Sequence, residues 1–328
     1  MLEHGGRIAE AVVRYGIAAS EWLDLSTGIN PSGYPVPVIP ASAWQRLPED
    51  SDCLAAVARE YYGTRSLLPV AGSQAAIRAL PRLRPRSRVS VADLSYNEYA
   101  HAWGRNGHAV ASVAPDRFEQ CIERSDVIVI CNPNNPTARS FDKRQLLTWH
   151  AALARRGGWL VVDEAYGDSM PASSLAAESE RAGLVVLRSL GKFFGLAGAR
   201  VGFVLAAEPL LGRLREELGP WCISGPARAI AQAALEDAAW HRDTRSRLAM
   251  DSNRLNALLG KFGMAAKGTS LFQWWPHESA ERVQDELARR GILVRLFRGP
   301  AIASLRFGLP GNDADWSRLE NALSRCRP

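Results

Sequence analysis

The sequence contains very little lysine. Of its 40 basic residues only Lys143, Lys192, Lys261 and Lys267 are lysines, and arginine supplies the rest. The guanidinium group of arginine does not lose its proton in proteins, whereas the amine of lysine can. Any chemistry that needs a neutral amine must therefore use one of these four residues.

Cysteines and long apolar runs are also scarce. The cysteines Cys53, Cys121, Cys131, Cys222 and Cys326 form none of the close pairs of zinc sites or redox motifs, and the six histidines are equally dispersed. The sequence therefore predicts no metal site. No run approaches the roughly 18 apolar residues of a membrane-spanning helix, and the first residues lack the apolar core of a signal peptide. We expect a cytoplasmic protein with reduced thiols and no membrane partner.

Basic residues exceed acidic residues only slightly, and the formal net charge is +6. Arginines are concentrated between Arg78 and Arg88, but two prolines interrupt this segment and no aromatic residue is interleaved. We interpret the segment as a solvated connection, and nucleic acid is not an expected partner.

The apolar residues that are present predict an α/β fold. A chain of 328 residues exceeds what one small core holds, which favours two domains. Short apolar runs rich in β-branched residues alternate with amphipathic segments of helix length, as in a mostly parallel sheet flanked by helices. Strands are predicted at 89–91, 127–130, 160–162, 184–187 and 201–205, and helices at 53–62 and 141–156.

The alternation stops at the turn Ser224-Gly225-Pro226. Beyond it the pattern predicts one long helix at 227–259, a strand at 270–275, a helix at 279–290, strands at 292–296 and 303–307, and a helix at 313–325. We therefore divide the chain into three parts. Residues 1–35 form an N-terminal arm that contributes to the small domain and the active site, residues 36–224 form a large domain, and residues 225–328 form a small C-terminal α/β domain.

Polar residues follow several predicted strands. In an open parallel sheet, ligands bind at the carboxyl ends of the strands, so these residues are expected to converge on one site. In chain order they are Gly72, Ser73 and Gln74 in an early turn, Asn135 in Asn132-Pro133-Asn134-Asn135-Pro136-Thr137, Asp163 and Tyr166 in Asp163-Glu164-Ala165-Tyr166, Ser189 and Lys192 in Ser189-Leu190-Gly191-Lys192, and Arg200.

This combination of a lysine, a carboxylate, an amide and a phenol suits pyridoxal 5'-phosphate. Lys192 would bind the cofactor aldehyde as a Schiff base, and Asp163 would keep the pyridine nitrogen protonated so that the ring can accept electrons. Asn135 and Tyr166 would hydrogen-bond the phenolic oxygen of the ring.

The cofactor phosphate also needs donors. The amides of Gly72, Ser73 and Gln74 at a helix start would supply some of them, and the Ser189 hydroxyl and the Arg200 guanidinium would supply the others.

The ordered motifs resemble those of the fold type I, or aspartate aminotransferase, superfamily of pyridoxal-phosphate enzymes. Asp163 lies 28 residues after Asn135 and 29 residues before Lys192, which is similar to the spacing in that superfamily. The resemblance implies a large domain with a mostly parallel sheet, a smaller C-terminal α/β domain and a homodimer. It also implies that Tyr96 stacks on the pyridine ring and that Arg306 binds the substrate carboxylate.

Other segments are similar to the threonine-phosphate decarboxylase family of cobalamin biosynthesis. They are His4-Gly5-Gly6, Asp24-Leu25-Ser26-Thr27-Gly28-Ile29-Asn30-Pro31 and Leu187-Arg188-Ser189-Leu190. This similarity implies decarboxylation of L-threonine O-3-phosphate, a small phosphorylated amino acid, to (R)-1-amino-2-propanol O-2-phosphate. It assigns the substrate phosphate to His4, Asn30 and Arg295.

Three residues, in two segments, depart from the superfamily pattern, and two other functions stay open. Leu47 stands where relatives carry a tyrosine that reaches the cofactor of the neighbouring subunit, and Gln74 and Ala75 replace a hydroxyl residue and a glutamate. The first alternative function is an aminotransferase acting on histidinol phosphate or another phosphorylated or aromatic amine. The second is a non-catalytic regulatory module that binds pyridoxal phosphate.

Overall fold

The computed structural model describes residues 4–49, 52–299 and 301–326. Within these ranges no helix is both long enough and apolar enough to cross a membrane. The strands are β1 (Leu23–Leu25), β2 (Leu67–Val70), β3 (Arg88–Ala92), β4 (Ala109–Val113), β5 (Val127–Cys131), β6 (Trp159–Asp163), β7 (Leu184–Ser189), β8 (Gly202–Ala206), β9 (Lys267–Thr269), β10 (Phe272–Pro276), β11 (Ile292–Arg298) and β12 (Ala303–Gly308). The α-helices are α1 (Ile8–Tyr15), α2 (Ala41–Gln45), α3 (Leu54–Tyr62), α4 (Ser73–Ala79), α5 (Glu98–Arg105), α6 (Phe118–Cys121), α7 (Lys143–Ala154), α8 (Glu208–Leu218), α9 (Gly225–Glu236), α10 (Ala238–Lys261), α11 (Ala280–Ala288) and α12 (Asp313–Leu323).

The chain forms two compact units. The larger unit consists of the described residues of Gly33–Asn135 and Arg139–His241. The smaller unit consists of the described residues of Met1–Ser32, Pro136–Ala138 and Arg242–Pro328.

The larger unit is built on a seven-stranded sheet in the order β2-β8-β7-β6-β5-β3-β4. Strands β4, β3, β5, β6 and β7 pair in parallel, whereas β8 is antiparallel to both β7 and β2. Every residue of β5, β6 and β7 is buried, as expected for central strands whose apolar sequences are continuous. The predicted mostly parallel sheet is therefore confirmed, and β8 is its reversed strand.

The smaller unit contains a five-stranded sheet in the order β1-β11-β12-β10-β9. Strand β1 comes from the N-terminal arm and pairs in parallel with β11, while the other pairs are antiparallel. Helix α11 packs on β11 and β12, where Val283, Leu287 and Phe307 are fully buried. This sheet fixes the positions of the charged residues that β11 and β12 carry.

The prediction of one long helix at 227–259 is wrong. The structure has two helices, α9 and α10, which are separated at Asp237. Asp237 has φ −83° and ψ 76°, which is not helical, and its carboxylate accepts a hydrogen bond of 2.9 Å from the Trp240 N–H. A carboxylate in this position satisfies a free donor of a first helical turn, so a second helix begins here.

Helix α9 packs within the larger unit, against α2 and α3. A Cβ atom on Gly225 would lie 2.3 Å from the Ala43 carbonyl oxygen, so the start of α9 approaches α2 closely. Arg228 of the same helix forms an ion pair with Asp52, with Nη2 at 2.6 Å from Oδ1. The observed division after His241 therefore differs from the predicted boundary after residue 224.

Candidate active site

The predicted cofactor residues lie along one edge of the large sheet. Cys131 pairs with Asp163, and Ser189 pairs with Gly202, which also pairs with Val70. The carboxyl ends of β2, β5, β6 and β7 therefore reach the same edge, together with the start of β8. The residues at or just beyond these strand ends are Gly72, Ser73, Gln74, Asn135, Asp163, Tyr166, Ser189, Lys192 and Arg200, and Tyr96 follows the end of β3.

Asp163 is the last residue of β6 and is 3% exposed. Its Oδ2 accepts a hydrogen bond of 2.7 Å from the Tyr99 hydroxyl, and its Oδ1 accepts one of 2.9 Å from the Ala165 N–H. Burial raises the pKa of Asp163, while these two donors and the charge of Lys192 oppose that rise. Two hydrogen-bond donors and one positive charge therefore stabilise the ionised form of Asp163. Tyr99 belongs to none of the motifs above, and no sequence signal identified it.

Lys192 lies close to the residues that follow β6. Its Nζ is 5.9 Å from the centroid of the Tyr166 ring, which is buried. The turn that carries the lysine is held by a 3.2 Å hydrogen bond from the Gly191 N–H to the Ser189 Oγ. The structure thus brings the predicted lysine, carboxylate and phenol into one cluster.

Gly72 and Arg200 form a cradle beside the start of α4. A Cβ atom on Gly72 would lie 2.6 Å from Arg200 Nη2, and one on Gly202 would lie 2.6 Å from the Ser73 nitrogen. Arg200 has φ 56°, an unfavourable conformation for a residue with a side chain, and its Nη1 donates to the Ala197 carbonyl at 3.1 Å. A guanidinium beside the backbone of Gly72, where helix α4 begins, suits a phosphate.

Gln74 connects this cradle to the predicted stacking residue. Its Oε1 accepts a hydrogen bond of 3.0 Å from the Tyr96 hydroxyl, and its Nε2 donates to Glu98 Oε2 at 2.7 Å. Burial raises the pKa of Tyr96, so its phenol stays neutral. The departure from the superfamily pattern at Gln74 therefore has a structural role here, which is to hold the hydroxyl of Tyr96.

The loop that carries Asn135 is fixed by its neighbours. The Asn132 side chain accepts from the Phe141 N–H at 2.8 Å and donates to the Phe141 carbonyl at 3.1 Å. Asn134 accepts from the Ser95 hydroxyl at 2.8 Å. These bonds hold the half-buried Asn135 beyond the end of β5.

A buried ion cluster lies next to these residues. Arg188 donates to Glu164 Oε2 and to Asp168 Oδ1, both at 2.6 Å, and none of the three side chains is more than 3% exposed. A Cβ atom on Gly167 would lie 2.6 Å from Arg188 Nη1, so glycine permits this packing. These ion pairs connect the loop that carries Tyr166 to β7. Sequence reasoning missed this role of Arg188.

The predicted substrate residues lie in the smaller unit. Arg306 on β12 is 5% exposed and stands directly opposite Arg295 on β11. Its Nη2 donates to the Ser26 carbonyl at 2.6 Å, and its guanidinium lies 5.4 Å and 5.6 Å from the ring centroids of Phe272 and Phe297. Like charges directly opposite on a sheet repel each other, so this pair suits an anionic ligand.

His4 lies in the same unit as these arginines. With Arg7 and Arg295 it lines a cavity of about 520 Å³. The segment that holds it packs on Ser26, because a Cβ atom on Gly5 would lie 2.5 Å from the Ser26 carbonyl oxygen and the Gly6 N–H donates to the Ser26 Oγ at 2.7 Å. Ser26 thus connects the His-Gly-Gly start to Arg306.

Asn30 is also in the smaller unit and is buried. Its Oδ1 accepts hydrogen bonds of 3.0 Å from the Ser32 N–H and from Arg247 Nη2. These two donors fix the orientation of the amide group.

The chain is similar to known proteins over most of its length. Residues 47–323 match the family described as aminotransferase class I and II. The chain is 54% identical over 324 residues to the threonine-phosphate decarboxylase of Pseudomonas aeruginosa, covering 98% of this chain and 97% of that one. It is 42% identical to a threonine-phosphate decarboxylase of a Sinorhizobium species, with the same coverage of both chains. The solved structure of histidinol-phosphate aminotransferase from Sinorhizobium meliloti in complex with pyridoxal-5'-phosphate has a TM-score of 0.82 at 20% identity, covering 98% of this chain and 94% of that one. The resemblance and the fold class predicted from the motifs are confirmed.

Proposed function

The chain belongs to the aminotransferase class I and II family, and we propose that it decarboxylates L-threonine O-3-phosphate to (R)-1-amino-2-propanol O-2-phosphate, a step of cobalamin biosynthesis. The observation that carries this proposal is the 54% identity, over 98% of the chain, to a protein named for that reaction. Its cofactor is pyridoxal phosphate. The alternative of a non-catalytic regulatory module has no comparable support.

The residues at the edge of the large sheet fit this cofactor. Lys192 would bind the cofactor aldehyde covalently, and the buried Asp163 would hold the proton on the pyridine nitrogen. Asn135 and Tyr166 would hydrogen-bond the ring oxygen, and Tyr96 would stack on the ring. When bound, pyridoxal phosphate supplies an acceptor for the electron pair that is released when the bond from Cα to the carboxylate breaks.

The cradle beside α4 fits the cofactor phosphate. Ser73 and Gln74 offer backbone N–H groups at the start of α4, and Arg200 and Ser189 supply a guanidinium and a hydroxyl. The Gly72 N–H donates to the Val70 carbonyl at 2.7 Å, so Gly72 contributes space for the phosphate and no free donor. A side chain on Gly72 would meet the guanidinium and fill this cradle, which supports glycine as the residue required there.

Charged and polar residues of the smaller unit bind the substrate. Arg306 presents a planar fork that matches the α-carboxylate, and Arg295, His4 and Asn30 bind the phosphate. In the reaction the carboxylate leaves as carbon dioxide, and the electron pair that it leaves behind returns to Cα with a proton.

The choice between decarboxylation and amino transfer depends on which bond of Cα stands perpendicular to the ring. The two anionic groups of threonine phosphate allow the protein to fix this orientation from two points. Histidinol phosphate carries no carboxylate, so Arg306 would lack its partner with that substrate.

A product assay separates these reactions. The purified protein is incubated with threonine phosphate, with phosphoserine, and with histidinol phosphate plus 2-oxoglutarate. We expect carbon dioxide and an amine phosphate from threonine phosphate without any keto acid. Amino transfer that depends on the keto acid, without release of carbon dioxide, would contradict the proposal.

We also propose a homodimer located in the cytoplasm. The exposed apolar side chains of Val36, Val38, Trp44 and Leu47 lie within a short segment, and a second copy of the chain would cover them. Sedimentation velocity tests the dimer, because the Trp44→Glu variant should sediment as a smaller species than the unchanged protein.

A further inference from the structure

Asp163 is held by a tyrosine that lies outside the motifs of the site. Tyr99 belongs to α5, is 2% exposed, and donates its hydroxyl hydrogen to Asp163 Oδ2 at 2.7 Å. Its ring meets the Tyr96 ring edge to face, with centroids 5.5 Å apart and an interplanar angle of 82°. Tyr99 therefore contacts two of the predicted cofactor residues.

A hydrogen bond from a neutral donor stabilises the ionised form of a carboxyl group. The Asp163 carboxylate has one such donor on each oxygen, the Tyr99 hydroxyl and the Ala165 N–H. Both contacts oppose the effect of burial, which favours the protonated acid.

The other ionisable groups around Asp163 do not replace this donor. Lys192 is the cation among them, and Glu164 is an anion that raises the pKa of Asp163. The Cys131 thiol donates to the Pro133 carbonyl at 3.3 Å, and burial raises its pKa to about 12. Burial and the charge of Asp163 also raise the pKa of Tyr99 well above its usual range, so the phenol keeps its proton.

We propose that Tyr99 is a positioning residue that keeps Asp163 ionised, so that the proton shared by this carboxylate and the cofactor resides on the pyridine nitrogen. Without the hydroxyl the carboxylate is more basic and competes for that proton. The inference rests on the cofactor of the proposed function and does not depend on the choice between decarboxylation and amino transfer.

The Tyr99→Phe variant isolates the hydroxyl, because phenylalanine retains the buried ring and its contact with Tyr96. The variant and the unchanged protein are loaded with pyridoxal phosphate that carries nitrogen-15 in the ring, and the nitrogen chemical shift is measured. We expect the shift of the variant to move toward the value of unprotonated pyridine. We also expect the dissociation constant of the cofactor to rise about tenfold, since a hydrogen bond to a charged group is lost.

The chain offers a matched control. The Tyr15 hydroxyl also donates to an aspartate, Asp285 Oδ1, at 2.9 Å, but in the smaller unit. The Tyr15→Phe variant should leave the nitrogen shift unchanged.

The outcomes distinguish the inference from the proposed function. A Tyr99→Phe variant that binds the cofactor with an unchanged nitrogen shift overturns the inference. Failure of the unchanged protein to bind the labelled cofactor overturns the cofactor assignment instead. If Tyr99→Phe does not fold, 3-fluorotyrosine replaces Tyr99, because its more acidic phenol donates a stronger hydrogen bond. The ring nitrogen must then be at least as protonated as in the unchanged protein, and a shift toward the unprotonated value contradicts the inference.

Discussion

Arg295 and Arg306 stand directly opposite each other on the antiparallel strands β11 and β12. Side chains in such a pair project from the same face of the sheet, so two positive charges lie side by side. Arg306 is also buried against two phenylalanine rings, where water screens its charge poorly. A substrate with two anionic groups would place its carboxylate beside Arg306 and its phosphate beside Arg295, so the side-by-side charges favour such a substrate.

The first prediction concerns Arg306. Lysine keeps the charge but loses the planar fork, so Arg306→Lys should lower kcat/KM for threonine phosphate about 10- to 100-fold. Steady-state kinetics measures this change, and the absorbance of the bound cofactor should not alter. Arg289→Lys is the control, because Arg289 forms an exposed ion pair with Asp285 in the same unit. If Arg306→Lys has the same kcat/KM as the control, Arg306 does not bind the substrate.

The second prediction concerns Gly5. A Cβ atom here would lie 2.5 Å from the Ser26 carbonyl oxygen, so Gly5→Ala must displace the segment that holds His4. We expect KM for threonine phosphate to rise about tenfold, as for a loss of about 1.4 kcal/mol of binding energy, while the cofactor still binds. Gly260→Ala provides the comparison, since a Cβ atom at Gly260 meets no atom within 4 Å. Equal KM values in the two variants would show that this segment does not bind substrate.

The third prediction concerns Arg188. Removal of its guanidinium leaves the buried carboxylates of Glu164 and Asp168 without their cation. Arg188→Met should therefore lower the free energy of unfolding by about 3–5 kcal/mol. Urea denaturation, monitored by circular dichroism, measures this free energy of unfolding. Arg282→Met, which breaks an exposed pair with Glu286, should change it by less than about 1 kcal/mol. A loss in Arg188→Met no larger than this would contradict the role given to the cluster.

The fourth prediction concerns acid stability. The hydrogen bonds from Arg88 lower the pKa of Asp126 from its ordinary value of 3.8 to about 2. A depressed folded-state pKa contributes stability above the unfolded-state value, and this contribution is lost as the pH falls through the folded-state value. Asp126→Asn should therefore have a lower Tm than the unchanged protein at neutral pH, and this difference should shrink between about pH 4 and pH 2. A difference in Tm that is constant over this range would show that Asp126 does not contribute in this way.

The sequence predicts the central strands well because strands that are buried on both faces have continuous apolar sequences. Strands β5, β6 and β7 were all placed correctly, with bounds that differ by at most two residues. Strand β4 was missed because it lies at the edge of the sheet, its residues are mostly exposed, and its short apolar sequence consists of small residues interrupted by Ser112. Strand β1 has three residues, and its partner β11 lies far along the chain, so the pairing has no local signal.

The candidate site, like the sheet, is predictable from the sequence only where a local pattern or spacing marks its residues. Lys192, Asp163 and Ser189 could be proposed from the sequence because they follow predicted strands at a recognisable spacing. Tyr99 and Arg188 were not found as supporting residues, because their roles depend on which side chains the fold places beside them. Asp237 is different, since an aspartate before a new helical segment is a known helix start that was overlooked.

The most direct test of the proposed function uses threonine phosphate labelled with carbon-13 in its carboxylate. The purified protein with pyridoxal phosphate should release labelled carbon dioxide in equal amounts with aminopropanol phosphate, without any keto acid. Lys192→Ala should release none, whereas Lys143→Ala, which removes a lysine paired with Glu178 on the surface, should react as the unchanged protein does. Retention of the label in a keto acid product, or release of labelled carbon dioxide by Lys192→Ala at the unchanged rate, would contradict the account.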